Sequence, residues 1–474
     1  MIGARVPSSL PTGRQAIPLP LGEGGLPLTI PLKGCYDSFV KIELIVPAVE
    51  ENARVPNLAF PLLAGLSPTD AQISFTDDLL TPIRLDKDLK EFDLVGITVL
   101  TKTALRAYDI ADAYRRRGIP VVLGGIHPTA VPEEAKEHAD SVVLGEAEEV
   151  WPHLIEDART GNLKPYYRQE GYTELSKMPR PRRDILPHKG YLPLDVVQVS
   201  RGCPFRCEFC TVQKFFGETH RFRPVSEVVE EVRRLPHRWM MFNDDNIIGN
   251  PVYLKDLLKA IVPLKKKWFG QASLSGLRRV ENVELLAKSG CISLFIGFES
   301  LSRKNLVAAQ KPQNDPSEYR EIIESLHRFG IAICGAFIFG FDEDDPSVFE
   351  ETVSFAIQTK LFSAVFMILT PYPETTFYHR VKNEGRLAQD QWWLQENPED
   401  SAPHFLPKKI TAEALREGWK KAWKEFYSFP SLWRRFHWEF PPTLINRIGY
   451  FPFQVMQHRF TKKKILGGKR RYRK

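Results

Sequence analysis

The chain has 474 residues, is 43% hydrophobic and 26% charged, and carries a formal charge of +7. That length calls for two or three domains, and that composition excludes wholesale disorder. No apolar run reaches the roughly 18 residues of a membrane span, no charged-then-apolar leader marks a secretory signal, and six cysteines do not make a disulfide framework, so a cytoplasmic location is expected.

Residues 1–38, rich in Pro and Gly, show neither helical nor strand periodicity and read as a disordered leader. From Val40 the runs "VKIELIV", "AQISFTDD", "EFDLVGITV", "IPVVLGG" and "ADSVVLGE" have strand length and alternate with helical stretches. In one of these, "TKTALRAYDIADAYRRRG", Ala104, Ala107, Tyr108 and Ala111 share a face and Gly118 closes the helix. The pattern predicts an α/β domain over 39–158 built on a doubly wound, Rossmann-like (flavodoxin-like) parallel sheet. A polar, proline-bearing connector follows over 159–192.

Six further strand candidates occupy 193–383: "DVVQVS", "RWMMFN", "FGQASLS", "CISLFIGF", "IAICGAFIFGF" and "SAVFMILT", each separated by a helical stretch. Six βα units predict a partial (β/α)6 barrel with its active site at the C-terminal ends of the strands. From 384 to 474 the pattern turns irregular to helical and is rich in Trp, Phe and basic residues. Residues 431–474 hold twelve Lys or Arg against the single acid Glu439, so the remaining chain is net acidic. Two readings suit this tail: a lid or surface that meets a lipid-like substrate at an anionic membrane, or an aromatic subdomain packed on the barrel. Nucleic acid is not an expected partner, because the body shows no recognisable binding module.

The densest chemistry lies in "RGCPFRCEFC", where Cys203, Cys207 and Cys210 have the spacing C-x3-C-x2-C directly after the first barrel strand. Three thiolates on one loop suit three irons of a [4Fe-4S] cluster and leave the fourth open. Zinc, which prefers four closed ligands, is the lesser alternative, since the next histidine, His220, is ten residues beyond Cys210. Cys291 and Cys334 fall in or beside strands and read as small buried apolar residues, and Cys35 receives no role.

The loop, with Phe209 as its aromatic, resembles the signature of the radical S-adenosylmethionine (SAM) superfamily. That resemblance implies that the open iron chelates SAM, that one electron cleaves SAM to a 5′-deoxyadenosyl radical, and that Phe209 lies near the adenine. Asp244 or Asp245 in "FNDDN" resembles the acidic position that receives the SAM ammonium, although Asp-Asp-Asn also suits a helix cap or turn. Glu299 and Ser300 in "GFES" resemble the ribose and carboxylate contacts. Gln271 and Ser273 on the third barrel strand are weaker candidates for SAM, equally readable as ordinary polar strand positions.

The N-terminal domain resembles the cobalamin (B12) binding module of one branch of this superfamily, through "GITVLTKTA", "VVLGGIHPT" and "VVLGEAE". The resemblance implies close corrin approach at Gly124 and Gly125, contacts near the nucleotide tail from Thr98, Thr103 and Glu146, and site positions at Gly145 and His127. The D-x-H-x-x-G segment of methionine-synthase-like proteins is absent, so His127 reads as a packing or hydrogen-bonding residue ahead of a cobalt ligand. Together these features predict a cobalamin-dependent radical SAM enzyme, of the class B methyltransferase type, that methylates an unactivated carbon. Relatives of this architecture act on hopanoids, bacteriochlorophyll precursors, antibiotics and phosphonates, and the aromatic tail favours a lipid or tetrapyrrole. Radical cyclisation, oxidation or carbon-carbon coupling is the nearest alternative reaction, and a non-catalytic Fe-S sensor the alternative class. A flavodoxin or ferredoxin is the electron donor the family implies.

Overall fold

Short runs of Val, Ile and Leu build two all-parallel sheets, each buried on both faces. The computed structural model describes residues 39–48, 54–395, 402–436 and 444–465. The expected leader and Cys35 lie outside the described residues.

The first sheet has the order β2-β1-β3-β4-β5-β6, with β1 at Val40–Val46, β2 at Ala71–Asp77, β3 at Leu94–Thr98, β4 at Val121–Gly124, β5 at Ser141–Leu144 and β6 at Tyr166–Arg168. Ile42, Leu44, Val95, Val121 and Leu123 are fully buried in it. The five expected strands are all present. The sixth lies in the segment read as connector, where Tyr166, Tyr167 and Arg168 pair in parallel with Val142, Val143 and Leu144. Its polar edge sequence shows no apolar run, which is why it escapes a periodicity reading.

The second sheet follows chain order: β7 (Asp195–Val197), then β10 (Trp239–Phe242), β11 (Lys267–Ala272), β12 (Cys291–Glu299), β13 (Ala332–Phe339) and β14 (Ser363–Ile368). This is the six-stranded partial barrel expected from the sequence. The first predicted strand is in fact broken. After β7 the chain turns into β8 (Ser200–Gly202), which leaves the barrel and pairs antiparallel with β9 (His220–Phe222). Residues 203–219 bridge the two arms of that hairpin and contain all three cysteines of the motif.

The edge of β14 is covered by the helix Ala412–Phe426. Trp419 Nε1 and Trp423 Nε1 both donate to the Phe366 carbonyl (2.9 and 3.0 Å), and the Tyr427 hydroxyl donates to the Ala364 carbonyl (2.8 Å) while accepting from its N–H (3.2 Å). Backbone groups that an open edge would leave exposed are satisfied by aromatic side chains. Arg435, buried and stacked 3.8 Å above Phe426, donates to the Leu361 and Phe362 carbonyls at the start of β14. Much of the aromatic C-terminal region is therefore barrel packing. None of the helices among the described residues is long and apolar enough to cross a membrane.

Candidate active site

Two cavities meet at the C-terminal ends of the strands. One, of about 390 Å³, fills the barrel mouth; the other, of about 410 Å³, lies between the first sheet and the barrel. The C-terminal edge of the first sheet thus faces the barrel mouth.

Cys203, Cys207 and Cys210 line the barrel cavity together with Phe209. Burial raises all three thiols, Cys210 to about 12. Such thiols gain their thiolate form from a metal charge, which is what an iron site would supply. Their surroundings fit an anionic cluster: Asn246 Nδ2 stands 3.8 Å from Cys203 Sγ, Gln313 Nε2 4.0 Å from Cys207 Sγ, and buried Lys311 adds a cation beside Cys207 and Cys210. No three His, Cys, Asp or Glu side chains among the described residues converge closely enough for a single metal ion. A tetrahedral zinc would draw thiolates to about 3.8 Å from one another, given its bond lengths, whereas a cubane spaces them more widely.

The candidate SAM residues separate into two groups. Phe209, Asp245, Gln271, Ser273 and Glu299 line the barrel cavity. Phe209 packs edge-on against Phe341 (6.2 Å), and Glu299, held at φ +63°, is ion-paired to Lys311. Burial lifts the Asp245 carboxyl to about 6, tempered by an N–H bond from Gly202 and the charge of Arg201. Asp244 and Ser300 depart from expectation. Asp244 does not reach the barrel cavity: it accepts from the Val199 N–H (3.1 Å), the Ser200 N–H and the Ser200 hydroxyl (2.7 Å), pinning the break between β7 and β8, and burial raises it to about 7. Ser300 is buried, and its hydroxyl accepts from the Ser302 N–H (3.0 Å) in the turn after β12. Of the two neighbouring acids only Asp245 reaches the barrel cavity, while both border the inter-domain cavity.

Thr98, Gly124, Gly125, Gly145 and Glu146 line the inter-domain cavity from the sheet side, and Arg201, Phe215, Phe216 and Met241 line it from the barrel side. Gly125 stands at φ +110°, where an added Cβ would lie 2.9 Å from the Val99 carbonyl oxygen; at Gly145, φ +77°, a Cβ would point into open space at the cavity margin. This smooth backbone wall suits a large flat ligand such as a corrin. Thr103 and His127 do not line the cavity. Thr103 closes a turn through its hydroxyl, which accepts from the Leu100 N–H and donates to the Leu100 carbonyl (both 3.0 Å). His127 is fully buried, with Nε2 3.1 Å from Glu134 and its ring edge-on to Trp393. Among the described residues lining this cavity there is no histidine, in keeping with the missing D-x-H-x-x-G segment.

Asp245 and Gln271 line both cavities, and so form the partition between them. Lys102, from the first domain, also reaches the barrel cavity, whose far wall is aromatic: Phe366, Tyr372, Trp392 and Trp419, with His404 stacked on Trp392 at 4.1 Å. The sequence reading missed Lys311, Gln313 and Lys102. Lys311 and Gln313 share the unusual stretch "QKPQN", a short run of polar groups and proline after a strand-end motif, but nothing in it alone assigns a partner.

The Radical SAM superfamily description matches residues 197–356, the B12 binding domain residues 68–155, and a domain of unknown function (DUF4070) residues 375–449. Bacteriochlorophyllide d C-12(1)-methyltransferase of Chlorobaculum tepidum is 32% identical over 88% of this chain and 91% of its own length. Bacteriochlorophyllide d C-8(2)-methyltransferase of the same organism is 30% identical over 84% and 91%. Among solved structures, the cobalamin-dependent SAM radical enzyme OxsB with aqua-cobalamin bound superposes with a TM-score of 0.64 at 17% identity, over 90% of this chain and 73% of that one. With its iron-sulfur motif at the mouth of a partial barrel, a B12-type sheet facing it and these full-length relatives, the chain belongs to the cobalamin-dependent radical SAM enzyme family of C-methyltransferase type.

Proposed function

We propose that this enzyme methylates an unactivated carbon of a planar, hydrophobic tetrapyrrole held in the barrel cavity. The observation that carries the reading is the partition: Asp245 and Gln271 touch both chambers, so a group presented in one is a side chain's width from the other. In this reading Cys203, Cys207 and Cys210 hold the cluster, while Phe209, Asp245, Gln271, Ser273 and Glu299 surround SAM. Thr98, Gly124, Gly125 and Gly145 bed the corrin. When bound, the cluster and SAM supply radical initiation and cobalamin supplies the methyl group. Lys311 neutralises the buried Glu299 beside the cysteines, and half-buried Tyr372 on the cavity wall offers a ring against which a macrocycle can pack. The likeness to two chlorophyllide methyltransferases supports a chlorin-like substrate.

Two finer assignments belong to the same proposal. A flavodoxin or ferredoxin is the electron donor that the radical SAM reading calls for. Phe429 and Trp433, 55% and 66% exposed on the helix Phe429–Arg435, together with the basic tail, support peripheral contact with an anionic membrane. Anaerobic turnover of the reconstituted enzyme with cobalamin, reductant and a chlorophyllide tests the central claim. Methylation yields 5′-deoxyadenosine and S-adenosylhomocysteine in equal amounts; deoxyadenosine alone would overturn it in favour of cyclisation or oxidation. Replacing any of Cys203, Cys207 or Cys210 by Ala abolishes both products.

A further inference from the structure

The iron-sulfur loop hangs on the β8–β9 hairpin, and the central pair of that hairpin is Arg201 opposite Arg221. Like charges directly across a ladder repel, so the pair needs an external counter-charge. The first domain provides it. Arg201 Nη1 donates to Glu146 Oε1 (2.8 Å), and Arg221 grips the same carboxylate with both prongs, Nη1 to Oε2 at 3.0 Å and Nη2 to Oε1 at 2.9 Å. Arg201 Nη2 reaches on to Glu148, and the Thr173 N–H completes Glu146 at 2.7 Å. Burial alone would raise the Glu146 carboxyl, yet Arg221 and Arg201 hold it below its usual range.

This network is nearly dry, with Arg201 at 5% and Glu146 at 4% exposure. A buried salt bridge is weak evidence for stability, because apolar residues of the same volume would hold two domains together at least as well. What it fixes is geometry: forked guanidinium-carboxylate bonds tolerate little displacement. The loop it anchors serves both chambers at once, presenting Cys203, Cys207 and Cys210 to the barrel cavity and Phe215 and Phe216 to the inter-domain cavity. Arg221 itself lines neither cavity; its guanidinium lies 4.9 Å above the Tyr172 ring.

We propose that Arg221 and Arg201, closing on Glu146 and Glu148, brace the iron-sulfur loop against the corrin-facing sheet and thereby set the distance between the two reaction chambers. They are positioning residues for the coupling of radical formation to group delivery, and take no part in SAM cleavage. The proposal rests on the two-chamber reading of the function given above.

The test uses full-length Arg221→Gln and Arg221→Lys enzymes, reconstituted with iron, sulfide and cobalamin and turned over with SAM and the chlorophyllide. Iron content and deoxyadenosine formation are expected within about twofold of the parent. Methylated product per deoxyadenosine should fall at least tenfold in the Gln enzyme, since a misplacement of about 1 Å can cost on the order of a hundredfold. The Lys enzyme, which keeps the charge but not the fork, should recover part of that loss. A readout independent of turnover is the dipolar coupling between the reduced cluster and cob(II)alamin: one narrow distance in the parent, a broadened or shifted distribution in Arg221→Gln. An unchanged ratio and an unchanged distribution would overturn the brace, and so would iron content and cleavage falling in step with product, which marks simple cluster loss. If the parent makes no methylated product, the methylation reading fails while the distance measurement still decides on the brace.

Discussion

Replacing Gly202 by alanine tests whether the hairpin holds the iron-sulfur loop in place. Gly202 sits between Arg201 and Cys203 at φ +82°, and an added Cβ would lie 2.0 Å from the Thr219 carbonyl oxygen, immediately before the facing arm. The left-handed backbone costs a non-glycine residue about 1–2 kcal/mol. Relieving the overlap means parting β8 from β9, at about 1 kcal/mol for each backbone hydrogen bond released. The sum, about 3 kcal/mol, is roughly a hundredfold in the ratio of closed to open hairpin, and well short of the about 5–15 kcal/mol that holds a domain folded. G202A should therefore unfold near the parent's midpoint yet take up iron poorly when iron is limiting. Iron and sulfide per chain after anaerobic reconstitution, titrated against iron, provide the assay. Gly385→Ala is the control, since φ there is +66° and a Cβ meets nothing within 4 Å, so only the backbone cost applies. Parent-like iron uptake by G202A would refute the reasoning.

Removing Lys311 (Lys311→Met) strands the buried Glu299 and should lower stability by about 3–5 kcal/mol; the double variant with Glu299→Gln should regain most of it, and additive losses in a denaturation cycle would contradict the pairing. Burial holds the His220 imidazole down at about 4, against 6.5 when free. Its neutral form thus contributes stability in full above about pH 6.5, and that contribution is lost as pH falls toward 4, amounting to no more than about 2 kcal/mol given its partial exposure. His220→Phe should flatten denaturation midpoints between those pH values, and an equal slope in both proteins would exclude the assignment. Glu134 accepts from the Tyr108 hydroxyl (2.8 Å), Trp393 Nε1 (3.0 Å) and Gln391 Nε2 (3.1 Å), tying the first domain to the segment after the barrel. Glu134→Gln should lose about 2 kcal/mol from weakened charge-assisted bonds and alter tryptophan fluorescence; an unchanged midpoint would show the tie to be dispensable.

The strands of both sheets were legible because parallel strands buried on two faces are written as uninterrupted apolar runs. The cysteine loop was legible because its spacing is a ligand pattern, independent of packing. β6 was not, since "YYR" at a sheet edge looks like any polar linker. The hairpin was hidden for another reason: "DVVQVS" reads as one strand, and only the buried Asp244 carboxylate, reaching back to Ser200, shows where the chain bends away. Polar residues at strand ends were harder still. Asp245 and Asp244 are neighbours of identical chemistry, yet only Asp245 reaches the barrel cavity while Asp244 pins the Val199 and Ser200 backbone; Thr98 and Thr103 are equally plausible as contacts, but Thr98 lines a cavity and Thr103 closes a turn. Such choices are settled by long-range packing, which a single sequence does not express.

The segment 203–219 forms part of the wall of both chambers, and that shapes how the enzyme can change. A substitution there alters two sites together, so substrate range has little freedom to drift through it. The wall built from residues 366–372 and from Trp392 and His404 borders the barrel chamber alone. Redirecting this scaffold to a new acceptor molecule is best begun on that wall, where a residue can be exchanged without disturbing the methyl donor's berth.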